Sequence, residues 1–263
     1  MKSLSEKYRP QTLAEIRGQS LIVRQLASFV RNPVSKCFIF HGTNGTGKTS
    51  AALAMANELC GGADAWHGVT SIPSGELNAE TIRDLRLNTL AQHTWQGTGW
   101  KVIIADEADN LHSQAEFCAL SIMENLPAKV VLVFTTNNAE KFTPRFKSRC
   151  EVHCFKTPVK DFGQGDGGIE QAAQSLIDDV WEKELGHNHS PRLADLDGWR
   201  EGGNLSFRSV LSALEPLVRL QREDDELAAI KAAEIPVAPV ALPGGRKSAI
   251  AEMEAARAML ATA

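Results

Sequence analysis

The stretch Gly42-Thr43-Asn44-Gly45-Thr46-Gly47-Lys48-Thr49 fits G-x-x-x-x-G-K-[ST]. It lies between a short apolar run, Cys37 to Phe40, and a helical pattern that begins at Lys48. This arrangement suits phosphate. Glycines let backbone N–H groups curl around phosphate oxygens, and the following helix N-terminus faces the negative charge. In that chemistry Lys48 neutralises terminal phosphates, Thr49 supplies a ligand to Mg2+, and Ser50 extends the nucleotide-binding stretch.

Two further strand ends carry matching chemistry. Val102-Ile103-Ile104-Ala105 runs into Asp106-Glu107, where Asp106 is placed to hold the shell of a Mg2+ ion and Glu107 to orient or deprotonate a water. On its own such a strand end is only a turn; downstream of a phosphate loop it reads as the second half of a hydrolytic site. The run Val130 to Thr135 ends in Thr136-Asn137-Asn138. An amide at the carboxyl end of a strand lies where ligands bind in open α/β sheets, so Asn137 is expected to face the terminal phosphate and the water. Asn138 is expected to cap the next turn.

These groups need a scaffold. Helical patterns at Ser20 to Arg31, Lys48 to Leu59, Glu80 to Gln92 and Ser113 to Leu126 alternate with the apolar runs. That alternation predicts a parallel sheet covered by helices on both faces. Gly163 to Gly168 reads as a hinge. Beyond it, Ile169 to Leu185, Pro191 to Arg200 and Leu205 to Arg222 have helical periodicity and no strand signal, which predicts a small helical domain. Ile235 to Gly245 reads as an extended linker, and Lys247 to Leu260 as an Ala-rich helix. The expected division is residues 1–160, 161–230 and 231–263.

With 263 residues and 43% hydrophobic content the chain can bury a core. Its net charge of -4 excludes a surface that is basic all over but leaves room for a local basic groove. No apolar run approaches the roughly 20 residues that span a bilayer, and the N-terminus lacks a signal-peptide core, so no membrane is expected and a cytoplasmic location is. Five cysteines, of which Cys37, Cys60 and Cys118 are dispersed in strand or helix patterns, read as reduced thiols. Cys150, His153 and Cys154 lack the second half of a four-ligand zinc site.

Several other motifs occur in an order that resembles a known family. Glu6-Lys7-Tyr8-Arg9-Pro10 with Gly18-Gln19, then Lys101 to Asp109 (KVIIADEAD), Met123-Glu124 and Ser148-Arg149-Cys150 resemble the AAA+ ATPase subunits of sliding-clamp loaders, the replication factor C small subunits and their archaeal and phage relatives. The resemblance spans about residues 4–158. It implies an α/β fold, a P-loop AAA+ parallel sheet sandwiched by helices, followed by a small α-helical lid domain. Tyr8, Arg9 and Pro10 would line an adenine pocket. Arg149 would be an arginine finger acting on a neighbouring subunit's ATP, so the chain would work in an oligomeric ring or spiral. The lid would add a cis-acting arginine. The family's Gly-Asp-Met-Arg becomes Gly203-Asn204-Leu205-Ser206 here, which makes Arg208 the candidate, two residues late.

The implied activity is hydrolysis of ATP with Mg2+, catalysed by Glu107, Lys48, Asn137 and the neighbour's Arg149. The implied work is loading a sliding clamp on primer-template DNA during replication. Two departures bear on this. Leu120-Ser121 stands where the family carries an Arg-Arg pair facing DNA, which leaves Arg83, Arg86, Lys141 and Lys147 as other cations for a groove. The C-terminal stretch is also too short for a complete helical collar. Remodelling of another protein or nucleoprotein target, or nucleotide-gated assembly with little turnover, are the alternatives that the residues leave open.

Overall fold

A computed structural model describes residues 2–62, 68–85, 97–155, 169–186, 189–201 and 204–234. Five strands, β1 (Lys36–Gly42), β2 (Val69–Ile72), β3 (Lys101–Ala105), β4 (Val130–Thr136) and β5 (Cys150–Phe155), form a sheet in the order β2-β3-β4-β1-β5. All pairings are parallel. β3 and β4 are buried along their whole length, which is why they read as unbroken apolar runs. β5 lies at an edge and mixes buried with exposed residues, and that pattern hid it from sequence analysis; β2 was missed in the same way.

Helices cover both faces. α2 (Ser20–Arg31) and α3 (Lys48–Cys60) pack with Phe38, Phe40, Val131 and Val133 on one face. Ala51, Ala52, Ala54 and Ala56 are buried in α3, so small side chains let it lie close to the strands. Gly61 ends α3 with φ 99°, a left-handed cap that glycine adopts at little cost. On the other face α4 (Ala79–Asp84), α5 (Ser113–Glu124) and α6 (Pro144–Lys147) enclose Ile103, Leu132, Phe134 and Phe146. Leu120 sits in this core rather than on an outer face. The helix anticipated over Glu80 to Gln92 is present as α4, and its second half lies outside the described residues.

A short helix, α1 (Leu4–Lys7), begins the chain, and α7 (Ile169–Leu185) and α8 (Phe207–Glu234) follow the sheet region. Their core is separate: Ile177, Val180, Leu193, Val210 and Leu214 pack together with Leu4. Two expectations for this region are corrected. Pro191 to Arg200 is not a helix but a 3-10 turn at Leu193–Asp195, and Gly198, at φ 75°, turns the chain out of helical geometry. A two-stranded antiparallel ladder is also present, with β6 (Arg200–Glu201) against β7 (Asn204–Leu205), too short for a periodic signal. By compactness the chain divides into Met1–Arg219 and Leu220–Ala263, and the second unit is described only over the last part of α8. The hinge at Gly163 to Gly168, the linker and the Ala-rich helix lie outside the described residues.

Phe146 is fully buried, with its ring 4.7 Å from that of Phe142 and 4.9 Å from that of Phe134. Phe146→Ala is expected to destabilise by about 3–5 kcal/mol in urea denaturation followed by circular dichroism. Phe117→Ala, at a side chain 67% exposed, is expected to stay within about 0.5 kcal/mol of the parent.

Candidate nucleotide-binding site

The carboxyl ends of β1, β3 and β4 border a cleft of about 430 Å³. Asn44 to Ser50, Glu107, Asn137, Tyr8, Arg9, Pro10 and Arg208 all line it. Most residues singled out from the sequence therefore meet in one place. Gly42 and Thr43 join them through their carbonyls, and Asp106 through Thr49.

Lys48 is the centre of the arrangement. It is the first residue of α3, preceded by Gly47 at φ 92°, and its side chain folds back over the loop. The ammonium donates to the carbonyls of Gly42 (2.9 Å) and Thr43 (2.8 Å) and to Oδ1 of Asn137 (2.9 Å). Burial lowers its pKa from the ordinary lysine value, against the raising effect of Asp109, Asp106 and Glu107; Arg208 is near enough to add to the lowering. The loop is braced from within by Thr46, whose hydroxyl donates to the Thr43 carbonyl at 2.8 Å.

At the end of β3, Asp106 Oδ1 accepts from Thr49 Oγ1 at 2.8 Å and from Thr135 Oγ1 at 2.5 Å. Thr49 and Asp106 thus offer hard oxygen donors side by side, the donor type that Mg2+ prefers. Glu107 has φ 50°, a left-handed conformation unusual for a residue with a side chain. Its N–H is held by the Thr135 hydroxyl at 2.9 Å, and its carboxylate is exposed in the cleft wall.

Asp109, the last residue of the KVIIADEAD run, has a place in the site that its sequence context does not reveal. One of its oxygens accepts from Thr136 Oγ1 (2.9 Å) and the other from the Asn137 N–H (3.1 Å), with Lys141 Nζ 3.8 Å away. Partial burial works against its charge, but the hydrogen bonds from Asn137 and Thr136 and the Lys141 cation outweigh it and hold the carboxyl below its ordinary value. Asp109 fixes the backbone of Asn137 while Asn137 meets Lys48. The neighbouring Asn138 does cap the turn, accepting from the Glu140 N–H at 2.9 Å.

Part of the cleft lining is apolar. Tyr8, Pro10, Ile16, Leu176 and Leu211 line it, a setting that suits a flat base. The arm is pinned in place at several points. The Leu13 N–H donates to Glu58 of α3 at 2.7 Å, the Tyr8 hydroxyl donates to the nearly buried Glu184 of α7 at 2.6 Å, and Arg17 pairs with Asp179 of the same helix. None of these α7 partners carried a sequence signal, because they lie more than a hundred residues from the arm.

Arg208, in the first turn of α8, lines the cleft, although it is offset from the family pattern. Ser206 occupies the patterned position. It is buried and caps α8 by accepting from the Ser209 N–H. A Cβ on Gly45 would lie 2.0 Å from its hydroxyl oxygen, so the loop and the start of α8 touch where only glycine fits.

Arg149 does not line this cleft. Its guanidinium is engaged by Glu124 of α5. Among the remaining cations, Lys141 pairs with Asp109 and Lys147 with Glu140, Arg83 is exposed, and Arg86 lies outside the described residues.

Residues 38–158 match the family model described as ATPase family associated with various cellular activities (AAA). The chain is 37% identical over 159 residues to a protein named Replication factor C small subunit from Haloarcula marismortui, covering 59% of this chain and 47% of that one. It is 35% identical over 193 residues to the protein of the same name from Thermofilum pendens, covering 69% and 58%. The chain spans about half the length of the relatives it matches. Among solved structures, a mutant of Thermotoga maritima RuvB superposes with TM-score 0.56 at 18% identity, over 85% of this chain and 68% of that one. A DNA polymerase III gamma subunit-related protein from Thermotoga maritima gives TM-score 0.51 at 17% identity, over 72% and 56%. The fold is that of AAA ATPases, and over the matched region the sequence is similar to replication factor C small subunits.

Asp109→Asn removes the charge and leaves one donor facing another. It is expected to cost about 1–3 kcal/mol near neutral pH in urea denaturation. Because the folded carboxyl lies below its ordinary value of 3.8, its contribution is present above that pH and is lost as pH falls through the lower folded value. The gap between wild type and variant is therefore expected to close on acidification.

Proposed function

We propose that this chain is an ATP-hydrolysing subunit of a clamp-loader-type assembly, in which each cleft is completed by Arg149 of a neighbour. One observation carries the reading. Lys48, Asn137, Glu107 and the Thr49–Asp106 pair converge on one cleft, while Arg149, the remaining cation of the signature, lies outside it. The relatives named Replication factor C small subunit support the same assignment.

The polyphosphate lies along Gly42 to Thr49, with loop N–H groups and the α3 N-terminus facing it. Its arrival draws the Lys48 ammonium from the Gly42 and Thr43 carbonyls toward phosphate oxygens. Thr49 and Asp106 would hold Mg2+, which would supply positive charge against the charge that develops on the phosphate. Glu107 takes up or orients the proton of the attacking water, and Asn137, fixed by Asp109, aligns that water with the terminal phosphate. Arg208 approaches the same charge from α8. The base stacks against Tyr8 and Pro10, with Leu176 and Leu211 behind.

Arg149 from the neighbour supplies the last charge. A finger of this kind is worth about 10³–10⁵ in rate where it acts on GTP. Coupling of that turnover to a ring-shaped clamp and primer-template DNA follows the relatives. Leu120 is core here, so duplex contact falls to other cations than the family's pair.

Steady-state ATPase assays with primer-template DNA and a clamp test the reading. Glu107→Gln and Arg149→Ala should each lower kcat by at least about 10². Mixing the two variants should restore part of the rate, because one contributes an intact cleft and the other an intact finger. Wild-type activity in Arg149→Ala would refute the inter-subunit site. Turnover indifferent to DNA and clamp would move the assignment to a remodelling ATPase.

A further inference from the structure

Arg149 is held in a way that the signature Ser148-Arg149-Cys150 does not explain. Its Nη2 donates to Oε1 of Glu124 at 2.7 Å, and its Nη1 donates to the carbonyl of Arg145 at 2.8 Å. The same Glu124 oxygen accepts from Nη2 of Arg145 at 3.0 Å. One carboxylate at the end of α5 therefore ties together two guanidinium groups. The three side chains keep one net positive charge, because two cations face a single anion. Without Glu124, Arg145 and Arg149 would repel each other.

The tie has a second anchor. Glu116, buried earlier on α5, accepts from the Thr143 N–H at 3.1 Å and from the Thr143 hydroxyl. Thr143 is the N-cap of α6, and α6 leads directly to Arg149. Glu116 and Glu124 lie about 12 Å apart along α5 at 1.5 Å per residue. α5 thus fixes the segment at its start and at its functional tip.

We propose that Glu124 is the positioning residue for Arg149, presenting its guanidinium toward a neighbouring subunit's nucleotide. The inference rests on the reading of Arg149 as a trans-acting finger. The geometry favours presentation over sequestration. An arginine has five N–H donors, and the two contacts use one each from Nη1 and Nη2, leaving three for phosphate oxygens. The Arg149 side chain is 29% exposed, against 59% for Arg145, so the finger is the more constrained of the two.

The full-length chain tests this in two ways. In ATPase assays with primer-template DNA and a clamp, Glu124→Ala should lower kcat roughly 10- to 100-fold, as expected for a misplaced group. KM for ATP should be unchanged, because the cis cleft is intact. Glu124→Gln, which retains an acceptor, should recover part of the loss. Adding Glu124→Ala to Arg149→Ala should cause no further loss. In NMR spectra of 15N-arginine-labelled protein, the anchored Arg149 guanidinium should give separate Nη signals that merge in Glu124→Ala, whether or not turnover is detectable. Wild-type kcat in Glu124→Ala, an equal loss in the Arg149→Ala background, or unaltered Arg149 signals would each overturn the proposal. Failure of the finger reading itself would show separately, as wild-type activity in Arg149→Ala.

Discussion

The parallel sense of β1, β3 and β4 is the constraint on which the site depends. Three neighbouring strands that run the same way must all release their loops at one end of the sheet. β1 delivers the glycine loop, β3 the pair of acids and β4 the asparagine. Each strand is anchored by an unbroken apolar run, so its polar end emerges at a fixed height. Side-chain hydroxyls then lock one strand end to the next. Thr135 of β4 reaches Asp106 and the Glu107 N–H, and Thr136 reaches Asp109. The site is a set of strand ends cross-braced at right angles to the strands.

Those features that obey short-range rules were legible in the sequence. The α2 boundaries follow from its apolar spacing and from Asn32-Pro33 after it, and the start of α3 follows from the glycine loop. Asn137 could be separated from Asn138 because a strand end and a turn cap ask for different neighbours. What escaped was set by partners distant in the chain. Asp109 looked like one more acid at the end of the motif, and only the fold places it under Asn137. Glu184 and Asp179 looked like ordinary charges on a helix, yet they pin the arm that carries Tyr8 and Arg17. β2 and β5 are short and mixed in polarity, and β6 with β7 is shorter than any period.

The start of α8 departs from the family pattern and uses its first turn in two ways. The patterned position holds Ser206, whose hydroxyl caps the helix and packs on Gly45. Arg208, two residues further along, still lines the cleft because it remains in the first helical turn. The two side chains thus leave the same turn in different directions, Ser206 into the packing against the loop and Arg208 into the cleft lining.

Lys48 ties loop carbonyls of β1 to an amide beyond β4, and this affects which inactive version of the protein can serve as a control. Replacing the lysine removes three hydrogen bonds that join the loop to Asn137, so a variant made that way is also a locally loosened one. Any partner contact that it lost would then have two explanations. Glu107 is exposed and shares its brace with the backbone alone, so its amide analogue changes the chemistry and leaves the scaffold in register.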